Sequence, residues 1–448
     1  MGTVAPDYCM LGISRTMVNQ RLEKYALYSE DFKGLPNGWH NLRACNFLVG
    51  ENSTGKSSFL QLIELIDSRA HMWYLDILDA VDGIESVSDV CSRLSGSKET
   101  TIGFLIKERT DEDEAIRIRG RLVTYKAVRD EFIVTKVTVI QDGASLRLKR
   151  GSNRISYRHD EFQYDTQKTH AENGSRLEDL HSRTADRFRN HHEVTWGIGP
   201  DNFTWIEALN SAVRESKGTK VRALSYPPLG CLSHGPMRSK TRRLHHGSKT
   251  KFSRTGEHTP YMLREVLSSN PELAEAVNAF GQASGLFDEI TVNTINTKVK
   301  DKPFVLQVRK SDKFFYVDEL GFGVGQILPI ISDIAVYEAG TSFLIQQPEL
   351  HLHPRAQAAL GNVFYESALG GSALVVETHS DFIIDRYRMR LKSSADSVRS
   401  QVIYFDKSED GGNVAHEISI SGEGTYANPP ETFRSFFVKE SMDKFELL

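Results

Sequence analysis

The sequence lacks any apolar run long enough to cross a bilayer, and its N-terminus lacks the basic and apolar pattern of a signal peptide. Cysteine is also scarce. The four residues Cys9, Cys45, Cys91 and Cys231 are scattered, which excludes the spacing of a zinc site and of a disulfide framework. We therefore expect reduced thiols in a cytoplasmic protein that has no membrane contact.

A strong excess of charge of either sign is missing as well. The 448 residues include 55 Lys and Arg against 59 Asp and Glu, a formal net charge of −4. No general basic field therefore attracts nucleic acid, and any such contact must come from a local patch. The length is sufficient for one or two domains with a large core.

One stretch near the N-terminus combines a buried strand, a glycine-rich loop and an amphipathic helix. The apolar run Phe47 to Val49 leads into Gly50-x-x-x-x-Gly55-Lys56-Ser57, the P-loop pattern, and apolar residues then recur at helical spacing. The glycines let backbone N–H groups close on phosphate oxygens, and the helix directs its positive end toward them. Lys56 is expected to reach the β- and γ-phosphates of ATP, and Ser57 to bind Mg²⁺. The candidate nucleotide ligands here are Gly50, Glu51, Asn52, Ser53, Thr54, Gly55, Lys56, Ser57 and Ser58.

The whole chain predicts an α/β protein in three segments. Residues 1–95 hold the P-loop in a mixed sheet, and the alternating runs from Tyr25 onward predict antiparallel strands beside the P-loop strand. Residues 96–290 predict an antiparallel β lobe and a helical insertion, in which the polar stretch 160–192 is expected to be flexible or weakly helical. Residues 291–448 complete the same head and end in a short tail.

A basic stretch, residues 233–254, contains seven Lys or Arg, three His and no acid. It is either a solvated loop or a contact for phosphate, of nucleic acid or of the bound nucleotide. The candidates for a nucleic-acid contact are Arg238, Lys240, Arg242 and Arg243.

Three further motifs stand at the ends of predicted elements in the last third of the chain. Gly321-Phe322-Gly323-Val324-Gly325-Gln326 opens a helix. The strand Phe343 to Ile345 ends in Gln346-Gln347-Pro348-Glu349-Leu350-His351-Leu352-His353-Pro354. The strand Ala373 to Val376 ends in Glu377-Thr378-His379-Ser380.

In this order, the P-loop and the three motifs resemble the ABC-type ATPase heads of the RecF, SMC and OLD group, over residues 20–70 and 285–400. The resemblance implies a head-to-head homodimer or higher homo-oligomer, in which the signature motif of one subunit contacts the γ-phosphate of ATP held by the other. His379 matches the switch histidine that senses the γ-phosphate. The signature contact is assigned to Gly321, Gly323, Gly325 and Gln326, and Gly323 stands where a serine is usual.

Within that group, the chain is more similar to ATPases of bacterial anti-phage systems. The likeness is carried by Leu350 to Pro354, by Gly235 to Ser239 and by Gly256 to His258. Because only a short segment follows the last predicted strand, we expect no Toprim nuclease domain of the kind found in OLD and Gabija proteins, and the resemblance then implies a separate nuclease subunit. In size and layout the chain resembles the PtuA family of Septu systems, which implies a PtuB-like HNH endonuclease as partner and DNA bound through the complex. The AriA family of PARIS systems is the alternative.

Two other classes of function are open. One is an active DNA-repair ATPase of the RecF kind, although the absence of a coiled-coil pattern argues against an SMC-like bridge. The other is a nuclease in its own right that would use His351, His353 and His379, a set that matches no known nuclease pattern.

The chain departs from the family pattern at the Walker B strand, which usually ends in two acids or in an acid and Gln. Gln346 stands at the Mg²⁺ position and Gln347 at the position of the general base. An amide cannot act as a general base, and it supports Mg²⁺ less well than a carboxylate does. Glu349 does not match either position and is interpreted as a structural residue of the turn. We expect ATP to be bound and to be hydrolysed weakly or not at all.

Overall fold

The computed structural model describes residues 24–436 except 79, 93–94, 110–115, 184–185, 189, 195–200, 216–228, 240–241, 249–250, 296–301, 338 and 395–397. None of the helices in these described ranges has the length and apolar character needed to cross a membrane.

The described chain forms three sheets with helices packed on them. The strands are β1 (Tyr25–Glu30), β2 (Gly38–Asn41), β3 (Cys45–Gly50), β4 (Glu99–Arg109), β5 (Ile116–Val128), β6 (Glu131–Gln141), β7 (Ala144–Arg150), β8 (Arg154–Glu161), β9 (Asn190–Glu193), β10 (Cys231–His234), β11 (Glu289–Thr294), β12 (Phe304–Lys310), β13 (Lys313–Tyr316), β14 (Ser342–Gln346), β15 (Ala373–Glu377), β16 (Ser400–Lys407) and β17 (Asn413–Ile420). The helices are α1 (Lys56–Asp67), α2 (Arg69–Tyr74), α3 (His170–Ser182), α4 (Asp201–Glu215), α5 (Thr259–Ser269), α6 (Pro271–Ser284), α7 (Phe322–Val336), α8 (Pro354–Leu369) and α9 (Asp381–Ser393).

The P-loop strand β3 lies inside a six-stranded sheet of order β10–β14–β15–β3–β16–β17. All neighbouring pairs are parallel except β16 with β17. Every residue of β3 is buried, because helices cover both faces of a parallel sheet. The carboxyl ends of β3, β14 and β15 therefore meet at one edge of the sheet, where ligands of open α/β sheets bind.

The second sheet is antiparallel and has the order β2–β1–β4–β5–β6–β7–β8–β9. The prediction that the strands from Tyr25 onward lie beside the P-loop strand is wrong, because β15 and β16 occupy both sides of β3. Instead β1 pairs with β2 and β4. A third, small sheet has the order β11–β12–β13.

The antiparallel lobe and the α1 face of the central sheet share one hydrophobic core. Phe59 and Ile63 of α1 belong to the same buried cluster as Ile102 of β4, Val123 of β5 and Trp205 of α4. The opposite face of the central sheet is covered by α7, α8 and α9 through a second cluster. These features confirm an α/β fold with a mixed central sheet and an antiparallel lobe, whereas the three segment boundaries remain a prediction.

The polar stretch 160–192 contains a capped helix, so the expectation of a flexible or weakly helical excursion is wrong for its described part. Thr169 and Glu172 form a reciprocal capping box at the start of α3. At the other end, the buried His181 ring lies between the hydroxyls of Thr124 and Thr138, at 2.8 and 2.7 Å. These contacts fix α3 on the sheet, and periodicity could not reveal them because the partners are distant in sequence.

The helices α8 and α9 connect the site-bearing strands and cross at close distance. A Cβ at Gly361 of α8 would lie 2.4 Å from the carbonyl oxygen of Ile383 and 2.8 Å from Cβ of Arg386. We expect Gly361→Ala to destabilise the protein by about 1–3 kcal/mol through overpacking, although alanine is intrinsically the better helix former. The measurement is the free energy of unfolding in denaturant.

Gly422 is the control for this substitution, because a Cβ there meets nothing within 4 Å. Gly422→Ala should leave the unfolding midpoint unchanged. A Gly361→Ala protein as stable as the wild type would show that the crossing can relax without cost.

Candidate functional site

The loop between β3 and α1 has the backbone that a P-loop requires. Gly50 and Gly55 have φ of 145° and 115°, and Ser53 has φ of 64°. A Cβ at Gly50 would lie 2.1 Å from the carbonyl oxygen of Phe405, and one at Gly55 would lie 2.9 Å from that of Gly34. Only glycine meets both the conformational and the steric demand at these two positions.

The N-terminus of α1 is free for an anion. No side chain caps the helix, and its first turn contains no acidic residue. The first-turn N–H groups of a helix have no intrahelical partner, and the helix dipole makes this end positive. Glu51, Asn52 and Ser53 are exposed on the loop, whereas Thr54 is buried and its hydroxyl donates to the carbonyl of Glu51 at 2.7 Å. Loop and helix together fit a phosphate group.

Lys56 is buried, with 4% of its surface exposed. Its Nζ donates to the carbonyl oxygens of Gly50 and Glu51, at 2.8 and 2.5 Å. Burial lowers the pKa of Lys56, and the charges of Glu377 and Glu51 oppose this shift. The lysine therefore stabilises the loop through these two hydrogen bonds. It also lies beside the position expected for the phosphates.

The strand β14, predicted to be the Walker B strand, ends at the same edge as the P-loop strand. Gln346 is 8% exposed and is in register with Glu377 of β15. Gln347 follows in a left-handed conformation, with φ of 43°, and its N–H donates to the carbonyl of Glu377 at 2.8 Å. The assignment of Gln346 to the metal position and of Gln347 to the base position stays a prediction.

Glu349 holds the segment that follows β15. Its carboxylate accepts hydrogen bonds from the Thr378 hydroxyl at 2.8 Å and from the His379 N–H at 2.7 Å. This agrees with the interpretation of Glu349 as a structural residue. The His379 side chain is exposed at the surface, and partial desolvation of the imidazole, together with the charge of Lys56, lowers its pKa. His379, the predicted switch histidine, is thus close enough to the P-loop lysine to feel its charge.

Glu377 was missed as a site residue by sequence reasoning. It is 4% exposed, and the Ser57 hydroxyl lies 3.0 Å from each of its carboxylate oxygens. Burial raises the pKa of Glu377, and the Ser57 hydrogen bond and the Lys56 charge oppose this shift. The available signal in the sequence is an acid at the carboxyl end of a buried strand, the first residue of the Glu-Thr-His-Ser run.

The proposed signature motif forms the start of α7. Gly321 precedes the helix in open space, and Phe322 is 63% exposed. Gly323 is buried, and a Cβ there would lie 2.7 Å from the carbonyl oxygen of His351. Gly325 is partly exposed in the first turn. Gly321 and Gly325 are therefore accessible to a second subunit, while Gly323 has a packing role.

Gln326 does not face outward. Its side-chain amide donates to the carbonyl of Arg238 at 2.9 Å and accepts from the N–H of the same residue at 3.1 Å. With both groups used and 9% of its surface exposed, Gln326 anchors α7 to the basic stretch. This corrects its assignment as a nucleotide ligand.

Arg238 is also not available to nucleic acid. It is 5% exposed, and its Nη2 donates to the carbonyl of Gln346 at 2.7 Å. Burial lowers its pKa to about 10, against the opposing charge of Glu349. This corrects the assignment of Arg238 as a nucleic-acid contact, because the cation is directed into the protein.

The other candidates of the basic stretch differ in placement. Arg242 and Arg243 are exposed, but Arg243 pairs with Glu319 and its guanidinium lies 4.1 Å from the ring centroid of Tyr316. Lys240 lies outside the described residues. Two exposed cations of the predicted set, one of them already paired, thus remain in the described part of the stretch.

The family described as "AAA domain, putative AbiEii toxin, Type IV TA system" matches residues 45–385. No curated protein matches the chain. Among solved structures, the chain is similar to an Smc head bound to the C-terminal winged-helix domain of ScpA, with 12% identity, a TM-score of 0.41, and coverage of 89% of this chain and 98% of that one. It is also similar to the SMC head domain from Thermotoga maritima, with 10% identity and a TM-score of 0.35. This match covers 88% of this chain and 97% of that one. The third structure is the Pyrococcus furiosus Smc head with an extended coiled coil, bound to the C-terminal domain of ScpA. It has 12% identity and a TM-score of 0.42, and the match covers 94% of this chain and 99% of that one.

The family match begins at the P-loop strand and ends in α9, so it includes the loop, the start of α7 and the ends of β14 and β15. Since it spans most of the chain, the protein belongs to this AAA-domain family of P-loop ATPases.

Proposed function

We propose that this protein is the ATP-binding subunit of an anti-phage defence complex. ATP binds in the P-loop, two subunits close head to head on two ATP molecules, and the closed dimer regulates an associated HNH-type endonuclease that cleaves DNA. The observation that carries the proposal is the uncapped start of α1 behind a loop whose glycines admit no side chain.

The residues present fit ATP and Mg²⁺. The loop and α1 provide N–H donors for phosphate, and Lys56 provides a cation beside them. Mg²⁺ prefers oxygen ligands, and the Ser57 hydroxyl next to the Glu377 carboxylate meets that preference. When bound, Mg²⁺ would neutralise phosphate charge, while the chain's own residues bind and orient the nucleotide.

The dimer proposal is supported by the exposed start of α7. Gly321, Phe322 and Gly325 present a helix N-terminus to solvent, and Phe322 leaves 63% of its surface uncovered. Aromatic residues are enriched in the cores of protein–protein interfaces, so Phe322 beside two accessible glycines would fit a surface that is covered on association.

The nuclease partner and the defence role rest on the resemblance to the Septu ATPases and on the family description, which names a toxin of a toxin–antitoxin system. DNA would be contacted through the complex, with Arg242 and Arg243 as the exposed cations of the basic stretch. ATP would act as a ligand that shifts a conformational equilibrium of the complex. The PARIS-type and RecF-type alternatives share the ATP site and differ in the partner.

Replacing Lys56 with Ala should weaken ATP binding about 10- to 100-fold, since one charge-assisted hydrogen bond contributes about 1.5–3 kcal/mol. Isothermal titration calorimetry with ATP measures the change. Because Lys56 also holds the loop through hydrogen bonds, the thermal unfolding of both proteins without nucleotide should be measured as well, to separate a loss of stability from a loss of binding.

Lys33→Ala is the matched control for the lysine experiment. Lys33 also lies against α1, and its Nζ donates to Gln61 at 2.9 Å and to the carbonyl of Gly83 at 3.2 Å. Its loss should leave ATP affinity unchanged. Equal ATP affinity of the Lys56→Ala and wild-type proteins would disprove the assignment of this loop.

Gly321→Glu should abolish ATP-dependent dimerisation while leaving ATP binding by each subunit intact. The position is open in the monomer, so the variant should fold, and the new carboxylate would face the γ-phosphate held by the partner subunit. Light scattering after gel filtration, with and without ATP, gives the mass. Gly321→Ala is the control, and an ATP-dependent dimer of the Gly321→Glu protein would exclude this contact.

The purified protein should release phosphate from ATP very slowly, because Gln347 cannot accept a proton. A missing general base lowers the rate by roughly 10²–10⁴. Gln347→Glu keeps the shape of the side chain and should raise turnover toward that of an ordinary ATPase.

Phosphate release and plasmid cleavage should be measured together, with and without a co-expressed HNH endonuclease. Rapid wild-type turnover that disappears in Lys56→Ala would refute slow hydrolysis. Failure of the endonuclease to co-purify, or plasmid cleavage that does not depend on ATP, would refute the proposed partner. The assignment of the ATP site would not be affected by either result.

A further inference from the structure

The serine of the P-loop already has a carboxylate partner from another strand. The Ser57 hydroxyl lies 3.0 Å from each oxygen of Glu377, although 320 positions separate the two residues. Glu377 is 4% exposed, whereas Ser57 is exposed at the start of α1. A buried carboxylate is unfavourable without a compensating charge, and its oxygens are directed at the hydroxyl that ordinarily binds Mg²⁺ in P-loop proteins.

The strand register explains how this carboxylate relates to the missing Walker B acid. Gln346 and Glu377 are in register on the parallel strands β14 and β15, so their side chains leave the sheet on the same face. Leu344 and Val375, two residues earlier on each strand, pack in the core of that face together with α1. Because β15 lies between β14 and β3, Glu377 is one strand closer to the P-loop than Gln346 is.

The amide at Gln346 is consistent with this placement. Carboxylates on neighbouring strands in register repel each other, and burial strengthens the repulsion. An acid at residue 346 would therefore be unfavourable beside Glu377, whereas glutamine has the same size and no charge. The two positions hold one carboxylate between them.

We propose that Glu377 supplies the carboxylate that orders Mg²⁺ at the nucleotide site, in place of the acid absent at Gln346. The inference rests on the proposed binding of ATP in the P-loop. Mg²⁺ sites at nucleotides combine one or two carboxylates with phosphate oxygens and water, and Ser57 with Glu377 completes the protein part of that set. The role of general base is not included, since residue 347 remains an amide.

The competing explanation is that Glu377 only holds Ser57 and the start of α1 in place. The two explanations differ in how Glu377→Gln affects ATP affinity with and without metal. A metal-ordering carboxylate contributes in Mg²⁺ alone, whereas a structural hydrogen bond contributes equally in Mg²⁺ and in EDTA.

The experiment is calorimetry of a non-hydrolysable ATP analogue in Mg²⁺ and in EDTA, on the full chain. For the wild type we expect tighter binding in Mg²⁺. In Glu377→Gln the Mg²⁺ enhancement should fall by about 10-fold or more, as is usual when a supporting carboxylate is lost, while the affinity in EDTA does not fall. The exchange variant Gln346→Glu/Glu377→Gln returns one carboxylate to the pair and should recover part of the enhancement.

Each other outcome is decisive. A Glu377→Gln protein with the full Mg²⁺ enhancement overturns the inference, and so does an equal loss of affinity in Mg²⁺ and EDTA. If Glu377→Gln does not fold, the exchange variant decides, because a folded exchange variant with the full wild-type enhancement would show that no carboxylate is needed at residue 377 and would also overturn the inference. A wild-type protein that binds no analogue in either condition would instead contradict the proposed function.

Discussion

The parallel pairing of β3 with β15 is the interaction on which the site depends. It aligns Leu48 of the P-loop strand with Glu377, and so brings the carboxyl end of β15 beside the loop. Thr378 and His379 follow directly, and Glu349 reaches both from the end of β14. Without this pairing the P-loop would remain a phosphate-binding turn with neither Glu377 nor His379 beside it.

Local chemistry made the P-loop predictable from sequence. Glycines at positive φ, a buried strand before them and helical spacing after them are properties of neighbouring residues, and the structure has all three. The strand ends at Gln346 and Glu377 were also predictable, because an apolar run followed by polar residues predicts the end of a buried strand whatever the fold. The α/β class follows from those elements.

Partners that are distant in sequence could not be predicted in the same way. Alternation identifies Tyr25 to Glu30 as a strand, yet it does not say that β4 is its neighbour. A run of arginines and lysines indicates a charged surface, yet Arg238 is buried because the carbonyl of Gln346 accepts from it. The same reason applies to Gln326, whose side-chain amide is satisfied by the backbone of Arg238, a partner that no sequence pattern identifies.

The buried charges around the site are nearly balanced. Lys56 and Arg238 provide two cations, and Glu349 and Glu377 provide two carboxylates. Burial shifts the pKa of each toward its neutral form, and each shift is opposed by an opposite charge of the set. A further acid at Gln346 would leave a net negative charge where triphosphate is to bind. The neutral residue is therefore favourable for nucleotide affinity as well as for the neighbouring carboxylate.

Within the basic stretch, Arg238 is a structural link between the start of α7 and the end of β14. Gln326 holds both backbone groups of Arg238, and Arg238 holds the carbonyl of Gln346. Gln346 lies in register with Glu377, which binds Ser57. A continuous series of contacts thus connects the start of α7 to the P-loop within one subunit. Since buried hydrogen bonds of this kind are costly to break, these contacts fix the distance between the P-loop and the start of α7. In the proposed head-to-head dimer, these are the two surfaces that would meet ATP, and Arg238 would act by fixing the geometry between them.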